Sequence, residues 1–586
     1  MRIVVHREIP DDPNLEARWN ALAQKMEPPE VFYTYQWARA MQAAYGSTLI
    51  PLLILLYNEE MIVGIAALAT DPEGWVASFL SGTTADYCDF LSEAAHRSEL
   101  VEASFGELAK FGTRKIEFAN LPADSLSVAA LRATARRRKH HILLRPAYLC
   151  AQVNLGTGEA RRSLRSSVLR KSTFRRVVAK LSKEGALELR NARSWAEIEP
   201  ILPTFFAAHV SRFLATGRIS NIASSERRTF LTELARSLAR SGWMNITQLC
   251  VGPRVIASNF GFQFGGSWFW YQPTFDTSYE PLSPGYCLLA KIVDEACENP
   301  ELQRVDLGLG AEGYKERFAN QTRATLHGTI TTSNLEHAKV VTRYGLVRAI
   351  AHAPKVESFV RTARARIEAA AAVDSGLGLL ARALTRLRER ISGREEVLFY
   401  EWPKDGPEQS GNLSNDFRLV PLDLAVLATA AMHFAGDRQT CAYLLRCAQR
   451  LRGNQARGFA LLDSTGVPVH FSWVQPFEGF AMAELKVRLE SESSNADLIF
   501  DCWTPMTFRG RGYYAQTISS IARTLTHEGR APWIFSAATN FASLRGIEQA
   551  GFQPRHSLVR RRAIGIQRIH KIRHQAQQVA ELPVAS

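Results

Sequence analysis

The sequence predicts an α/β protein built from three diverged copies of one unit, with a helical connector between the second and third copies. Three observations carry this reading. At 586 residues the chain exceeds what a single core serves, and at roughly 150 residues per domain it allows about three or four units. A strand, a short polar turn and a second strand of small and apolar residues recur three times. A stretch rich in Ala, Arg, Leu and Glu, with apolar residues at helical spacing, separates two of the three.

The first copy is read at Leu49–Ala69, with its turn at Tyr57–Glu60. The second is Ile246–Phe264, turning at Gly252–Arg254, and follows the helix-patterned segment Glu226–Arg240. The connector, 351–394, runs through RIEAAAAV and LLARALTRLRERI and is interrupted at Asp374–Gly378. The polar stretch EWPKDGPEQSGNLSND then marks a boundary loop. The third copy lies in a C-terminal domain, 395–562, at Gly458–Val474, turning at Asp463–Gly466 after the helical pattern Gln439–Arg452. Residues 563–586 read as a basic flexible tail.

Composition narrows the chemistry. Hydrophobic residues at 46% and charged residues at 22% are ordinary for a globular chain. No apolar run approaches the roughly 20 residues that cross a bilayer, and the opening MRIVVHREIPDDPNLEARW holds no long apolar stretch. The expectation is therefore a cytoplasmic protein, with peripheral membrane contact left open. The eight cysteines form no C-x-x-C pair, which implies free thiols. His570 and His574 sit in the basic tail without a third ligand, and no metal is expected. A net charge of +14 suits an anionic partner.

The most specific local signal is in the C-terminal domain. Asp497–Trp503 reads as a buried strand, Arg509-Gly510-Arg511-Gly512 as a tight basic turn, and Tyr514–Leu525 as an amphipathic helix. Glycines let a backbone approach a phosphate, and a helix N-terminus offers unpaired N–H groups to it. Two arginines add charge-assisted donors. Further on, Trp533–Ala537 reads as a strand, and a helix opening at Asn540 stops at Gly551-Phe552. These residues resemble the GNAT acetyltransferase superfamily: Arg509 and Gly512 match its Q/R-x-x-G-x-G/A turn, and Asn540 with Gly551-Phe552 its N-x-x-A…G-F pattern. The resemblance spans residues 415–562. It implies a mixed central sheet flanked by helices, with acyl-coenzyme A as co-substrate. Its pyrophosphate would lie on the N–H groups of Phe508, Arg509, Gly510, Arg511, Gly512 and Tyr513, its pantetheine arm along 497–503, and its thioester near Asn540. The sequence departs from the pattern at Tyr514, Ser543 and Ile547, where relatives carry Gly or Ala, Ala, and an acid-catalytic Tyr; the acid is thereby unassigned, with Tyr513 and Tyr514 as the candidates. Glu484, in the segment AMAELKV read as the preceding strand, is the candidate base there.

Residues 1–335 carry a second set of motifs. These are Trp19 and Leu22, Tyr35-Gln36-Trp37, Asp86-Tyr87-Cys88-Asp89, the basic helix 161–183, Phe275-Asp276, Ser283-Pro284-Gly285, Asp306-Leu307-Gly308-Leu309-Gly310, and Tyr314-Lys315. In this series the chain resembles the CelD-like acetyltransferase family of cellulose and exopolysaccharide gene clusters, similar to the Fem-like double GNAT arrangement. That implies two fused lobes, 1–150 and 151–350. Pro284 and Gly285 open an apolar helix and form a candidate anion site. Asp306, at a strand end beside flexible glycines, is a candidate base, with Lys315 or Tyr314 binding phosphate or an acyl oxygen. Asp86 and Asp89 flank Tyr87 as candidate substrate contacts, or as turn formers.

The expectation is a tandem acyl-coenzyme A-dependent N- or O-acyltransferase, acetyl by default, acting on a small-molecule or saccharide acceptor. Two alternatives stay open. One is a Fem-like aminoacyl-tRNA-dependent transferase, whose RNA would meet the basic helix. The other is a chain in which one module only binds.

Overall fold

The computed structural model describes residues 1–310, 313–351, 392–403, 416–454, 456–490, 493, 495–563 and 566–573. Residues 352–391 of the expected connector and most of the boundary loop lie outside these. The chain divides into two units, Met1–Arg212 with Asn221–Glu357, and Phe213–Ser220 with Ser358–Ser586. Each is α/β, a mixed sheet flanked by helices.

The expected hairpins are present. Ile50–Asn58 pairs with Met61–Thr70, Met244–Val251 with Arg254–Phe264, and Arg457–Leu462 with Pro468–Pro476, all antiparallel. After each hairpin comes a parallel pair bridged by a helix. Val76–Phe79 runs parallel to Lys115–Pro122 around helix Arg97–Lys110. Ser267–Phe275 runs parallel to Arg304–Asp306 around helix Pro284–Glu298. Ala496–Trp503 runs parallel to Ala531–Ala537 around helix Tyr513–His527. Three parallel pairs at equivalent places make the internal repeat explicit.

The thirteen-stranded sheet of the first unit joins two copies in a way the sequence did not reveal. Its order is Arg2–His6, Ile50–Asn58, Met61–Thr70, Val76–Phe79, Lys115–Pro122, Gln321–Thr331, His141–Asn154, Arg304–Asp306, Ser267–Phe275, Arg254–Phe264, Met244–Val251 and Leu187–Ala192, with Leu91–Ser92 beside Met61–Thr70. The two central strands, Gln321–Thr331 and His141–Asn154, are therefore shared. The last strand of the second lobe lies between two strands of the first, which pins the lobes together through backbone ladders. Glu30 adds an ionic tie, holding Arg304 at 3.0 Å and Arg323 at 2.9 Å.

In the second unit the order is Arg418–Pro421, Arg457–Leu462, Pro468–Pro476, Ala496–Trp503, Ala531–Ala537, Ser392–Glu401, Gln553–Ala563 and Ile566–Arg573. Residues 566–573, expected in a flexible tail, are thus an edge strand, paired antiparallel with Gln553–Ala563. Strand alternation puts Ile499, Ile534 and Tyr400 in one core and Leu498, Phe399 and Val397 in another. Helix Tyr513–His527 buries Ile518, Ile521, Ala522 and Leu525 at i, i+3, i+4 and i+7. Each large side chain there stabilises by about 1.5–3 kcal/mol, so packing fixes the bend that precedes the helix.

Candidate functional site

In the first unit, Ser267–Phe275 and Arg304–Asp306 pair only from Ser267/Arg304 to Phe269/Asp306. Beyond Asp306 the chain turns through Gly308 (φ 68°) and Gly310 (φ 102°), so the two strands part. Asp306 is buried at the fork. Its carboxylate accepts from the Tyr87 hydroxyl (3.0 Å), Gln152 Nε2 (2.7 Å) and the Gly308 N–H (2.8 Å). Satisfied on both oxygens, it anchors the loop beside Asp86.

Asp86 is half-buried, on a loop that Asn120 fastens by donating to the Ala85 carbonyl at 2.8 Å. A Cβ on Gly308 would stand 2.4 Å from Asp86 Oδ2, so only glycine admits the carboxylate here. The backbone of Leu309 donates to it. Burial, helped by the charge of Asp306, pushes the Asp86 carboxyl up to about 7, against the opposing pull of Lys315 and Arg227. Lys315 is buried and donates to the Leu309 carbonyl at 2.8 Å. Trp270 Nε1 donates to the Tyr314 hydroxyl at 3.1 Å. Asp86, Asp306, Tyr314 and Lys315, read from three separate motifs, are gathered at one fork. A carboxyl near 7 that solvent can reach is suited to taking a proton from an amine or hydroxyl.

Asp89 belongs elsewhere. Its carboxylate accepts from Ser125 (2.6 Å), Ser127, Arg97 (3.4 Å) and the Phe90 N–H (2.8 Å), a closed buried network that leaves no oxygen for a substrate. Pro284 and Gly285 open the helix Pro284–Glu298 after Ser283 in left-handed conformation (φ 51°). The Gly285 and Tyr286 N–H groups have no backbone acceptor among the described residues. The basic segment 161–183 is two helices, Gly158–Arg170 and Ser172–Leu181, broken at Lys171 (ψ 128°). Arg161 bonds three carbonyls and Arg165 pairs with Asp294 and Glu298, so part of this charge is structural. Arg162, Arg170, Arg175, Arg176 and Lys180 are exposed.

In the second unit the parallel strands pair only as far as Ile499/Ile534, and then also part. The bend follows. Gly510 (φ 75°) and Gly512 (φ 79°) are both left-handed, and a Cβ on either would meet nothing within 4 Å. The N–H groups of Tyr513, Tyr514 and Ala515 take no backbone acceptor among the described residues. Arg511 is exposed, its guanidinium 5.5 Å from the Phe508 ring. Arg509 donates from Nε to the Thr504 carbonyl (3.0 Å) and lies over Trp503 (5.3 Å), so it also braces the bend. The cradle is open and lined by donors.

Behind it stands a polar cluster that sequence reasoning missed. Buried His470, on the strand Pro468–Pro476, meets Thr504 Oγ1 at 2.7 Å and Ser472 Oγ at 3.0 Å. Burial pushes its pKa down to about 3, so it is neutral at physiological pH. The Tyr514 hydroxyl lies 3.0 Å from Ser543 Oγ, with its ring 5.7 Å from His470. A Cβ on Gly546 would stand 2.5 Å from the Tyr514 ring, so a small residue on the next helix admits the tyrosine. Two departures from the expected motif, Tyr514 and Ser543, are thus partners. The third, Ile547, is a fully buried core residue. Asn540 caps the helix Phe541–Gln549 by accepting from the Ser543 N–H at 3.2 Å. Tyr513 packs on Phe417. Glu484 is not on a strand beside the bend: it is exposed in the turn between Ala481–Met482 and Val487–Arg488. The neighbouring strand that does pair with Ala496–Trp503 carries His470 and no carboxylate.

Residues 169–316 match the acetyltransferase (GNAT) domain family. That stretch holds Pro284, Gly285, Asp306, Tyr314 and Lys315. No curated protein matches the chain. Among solved structures, FemX is 9% identical over 58% of this chain and 100% of its own, with a TM-score of 0.42. The C-terminal domain of a putative lysylphosphatidylglycerol synthetase from Agrobacterium fabrum is 10% identical, covering 57% and 96%, with a TM-score of 0.37. A tandem GNAT protein of clavulanic acid biosynthesis is 10% identical, covering 56% and 97%, with a TM-score of 0.33. Likenesses this distant bear on neither donor nor acceptor.

Proposed function

We propose that the chain is a tandem acyltransferase of the GNAT type that takes an acyl group, acetyl by default, from coenzyme A to an amine or hydroxyl. The observation that carries this reading is the bend at Gly510–Gly512: two left-handed glycines with open space above them, then three helix N-terminal N–H groups without acceptors, beside a parted strand pair. Such a cradle suits a diphosphate.

In the first unit the fork at Asp306 supplies the proton chemistry. The acceptor N–H or O–H would add to the thioester carbonyl, the C–S bond would break, and Asp86 would take the proton as coenzyme A leaves as thiolate. Most of the acceleration would come from holding the two reactants together and from N–H groups facing the developing oxyanion. In the second unit Tyr514, beside Ser543 and His470, would be the proton donor to the leaving thiolate.

Resemblance to the CelD-like family suggests a sugar or polysaccharide precursor as acceptor. The exposed cations of 158–183 favour one rival donor, an aminoacyl-tRNA, whose binding would weaken steeply with salt. The test is a screen of amine and hydroxyl acceptors with acetyl-coenzyme A, following free thiol. Release that depends on the acceptor supports the reading. No release from any acceptor, with activity appearing only on aminoacyl-tRNA, would replace it.

A further inference from the structure

Beside the fork in the first unit lies a buried cation with no ion-pair partner among the described residues. Arg227 is 4% exposed, near the start of helix Ser225–Arg240, where Ser224 caps its backbone at 3.1 Å. Its guanidinium faces inward. One nitrogen donates to the Tyr271 hydroxyl at 2.7 Å, which in turn donates to the Thr84 carbonyl at 2.6 Å, two residues from Asp86. The Tyr45 hydroxyl also approaches it. Nε and the second terminal nitrogen are buried without a hydrogen-bond partner among the described residues. Among the described residues no carboxylate lies within ion-pair distance of Arg227, though Asp86 at the fork feels its charge.

Two phenols and the ring faces of Phe230 (5.0 Å) and Tyr271 (5.6 Å) are weak company for a desolvated guanidinium. A buried charge is normally paired, because leaving it alone costs several kcal/mol. The buried side-chain amide of Asn245 and the Gln36 carbonyl oxygen are likewise unsatisfied in this half of the chain. The geometry assigns Arg227 a ligand. We propose that it receives an anionic group of the acceptor, a carboxylate or a phosphate, whose nucleophile is then turned towards Asp86. The acceptor is thereby an acidic molecule. This rests on the reading that the fork handles the acceptor.

The test needs no turnover. Thermal unfolding of the full chain is followed in propionate and in its neutral isostere propionamide, at matched ionic strength, for wild type, Arg227→Met and Arg227→Lys. In wild type, propionate should raise the midpoint by about 2–4 °C more than propionamide. In R227M that difference should vanish, while the ligand-free midpoint does not fall, since an uncompensated charge has been removed. R227K should keep a reduced difference. Equal shifts from both probes in wild type, or a difference that survives in R227M, overturns the proposal. Should R227M not fold, R227K decides: a difference cut at least threefold supports the assignment, and an unchanged one refutes it. Inorganic phosphate in the same comparison separates the two anions by which gives the larger Arg227-dependent shift. Failure here leaves acyl transfer standing, and an inactive protein with an Arg227-dependent shift leaves the anion site standing.

Discussion

Asp86 Oδ2 lies so close over Gly308 that a methyl group there would stand 2.4 Å from it. The pair joins the two lobes at the fork and places a carboxyl raised to about 7 beside Asp306 and Lys315. Gly308→Ala should therefore disturb more than backbone strain at φ 68°. The expected cost is on the order of 1–3 kcal/mol, with loss of the pH-dependent step assigned to Asp86. Urea unfolding and a pH–rate profile of the variant check both parts.

Asp86 itself should trade stability for function. Its folded pKa is raised, so its contribution is fully present below the unfolded value near 4 and is lost as pH rises through about 7. Asp86→Asn removes that loss. The variant should match wild type near pH 3.5 and exceed it by on the order of 2–4 kcal/mol at pH 8, while transfer falls at least 100-fold. A variant less stable than wild type at pH 8 would mean that the carboxylate is held for structure.

His470 titrates in the opposite sense. Its folded pKa is depressed to about 3 by burial, so stability is present above the unfolded value near 6.5 and is lost as pH falls towards 3. His209, buried in the first unit, shares that behaviour. Replacing His470 with Gln should flatten the slope of the second unit's unfolding between pH 7 and 4. In wild type this ring should give no inflection near 6.5 in activity, because it stays neutral through that range.

Tyr514 and Gly546 should behave as one site. Gly546→Ala puts a methyl 2.5 Å from the tyrosine ring and is expected to cost about 1–3 kcal/mol. In a Tyr514→Ala background that cost should largely disappear. A double-mutant cycle showing simple additivity would separate the two residues.

How much was legible follows from the range of the interactions. The three hairpins were readable because period-2 patterning and turn residues are local, and the bend at 510 because glycine and arginine cluster within four positions. The shared strands His141–Asn154 and Gln321–Thr331 were not, since their pairing is set by which partner they meet across the sheet. Glu484 was misplaced because Ala481, Ala483, Leu485 and Val487 alternate as in a strand, whereas the fold makes a turn there and buries Met482, Leu485 and Leu489 against Val397, Phe399 and Leu498. His470 and Arg227 gave no motif: His470 is the lone titratable residue in an apolar strand, Arg227 is one of several charged residues at a helix start, and only folding shows what surrounds each. Tyr514 and Ser543 read as two defects until the fold brought their hydroxyls together.

The most direct test of the central claim is calorimetric titration of acetyl-coenzyme A into the full chain and into Arg511→Glu. Arg511 is exposed beside the bend, so the variant should fold as wild type does. The expected result is saturable binding to wild type that weakens at least tenfold in R511E, the loss of one charge-assisted phosphate contact or more. Binding of equal strength in both proteins, or none to wild type, would contradict the placement of the diphosphate and with it the function drawn from that bend.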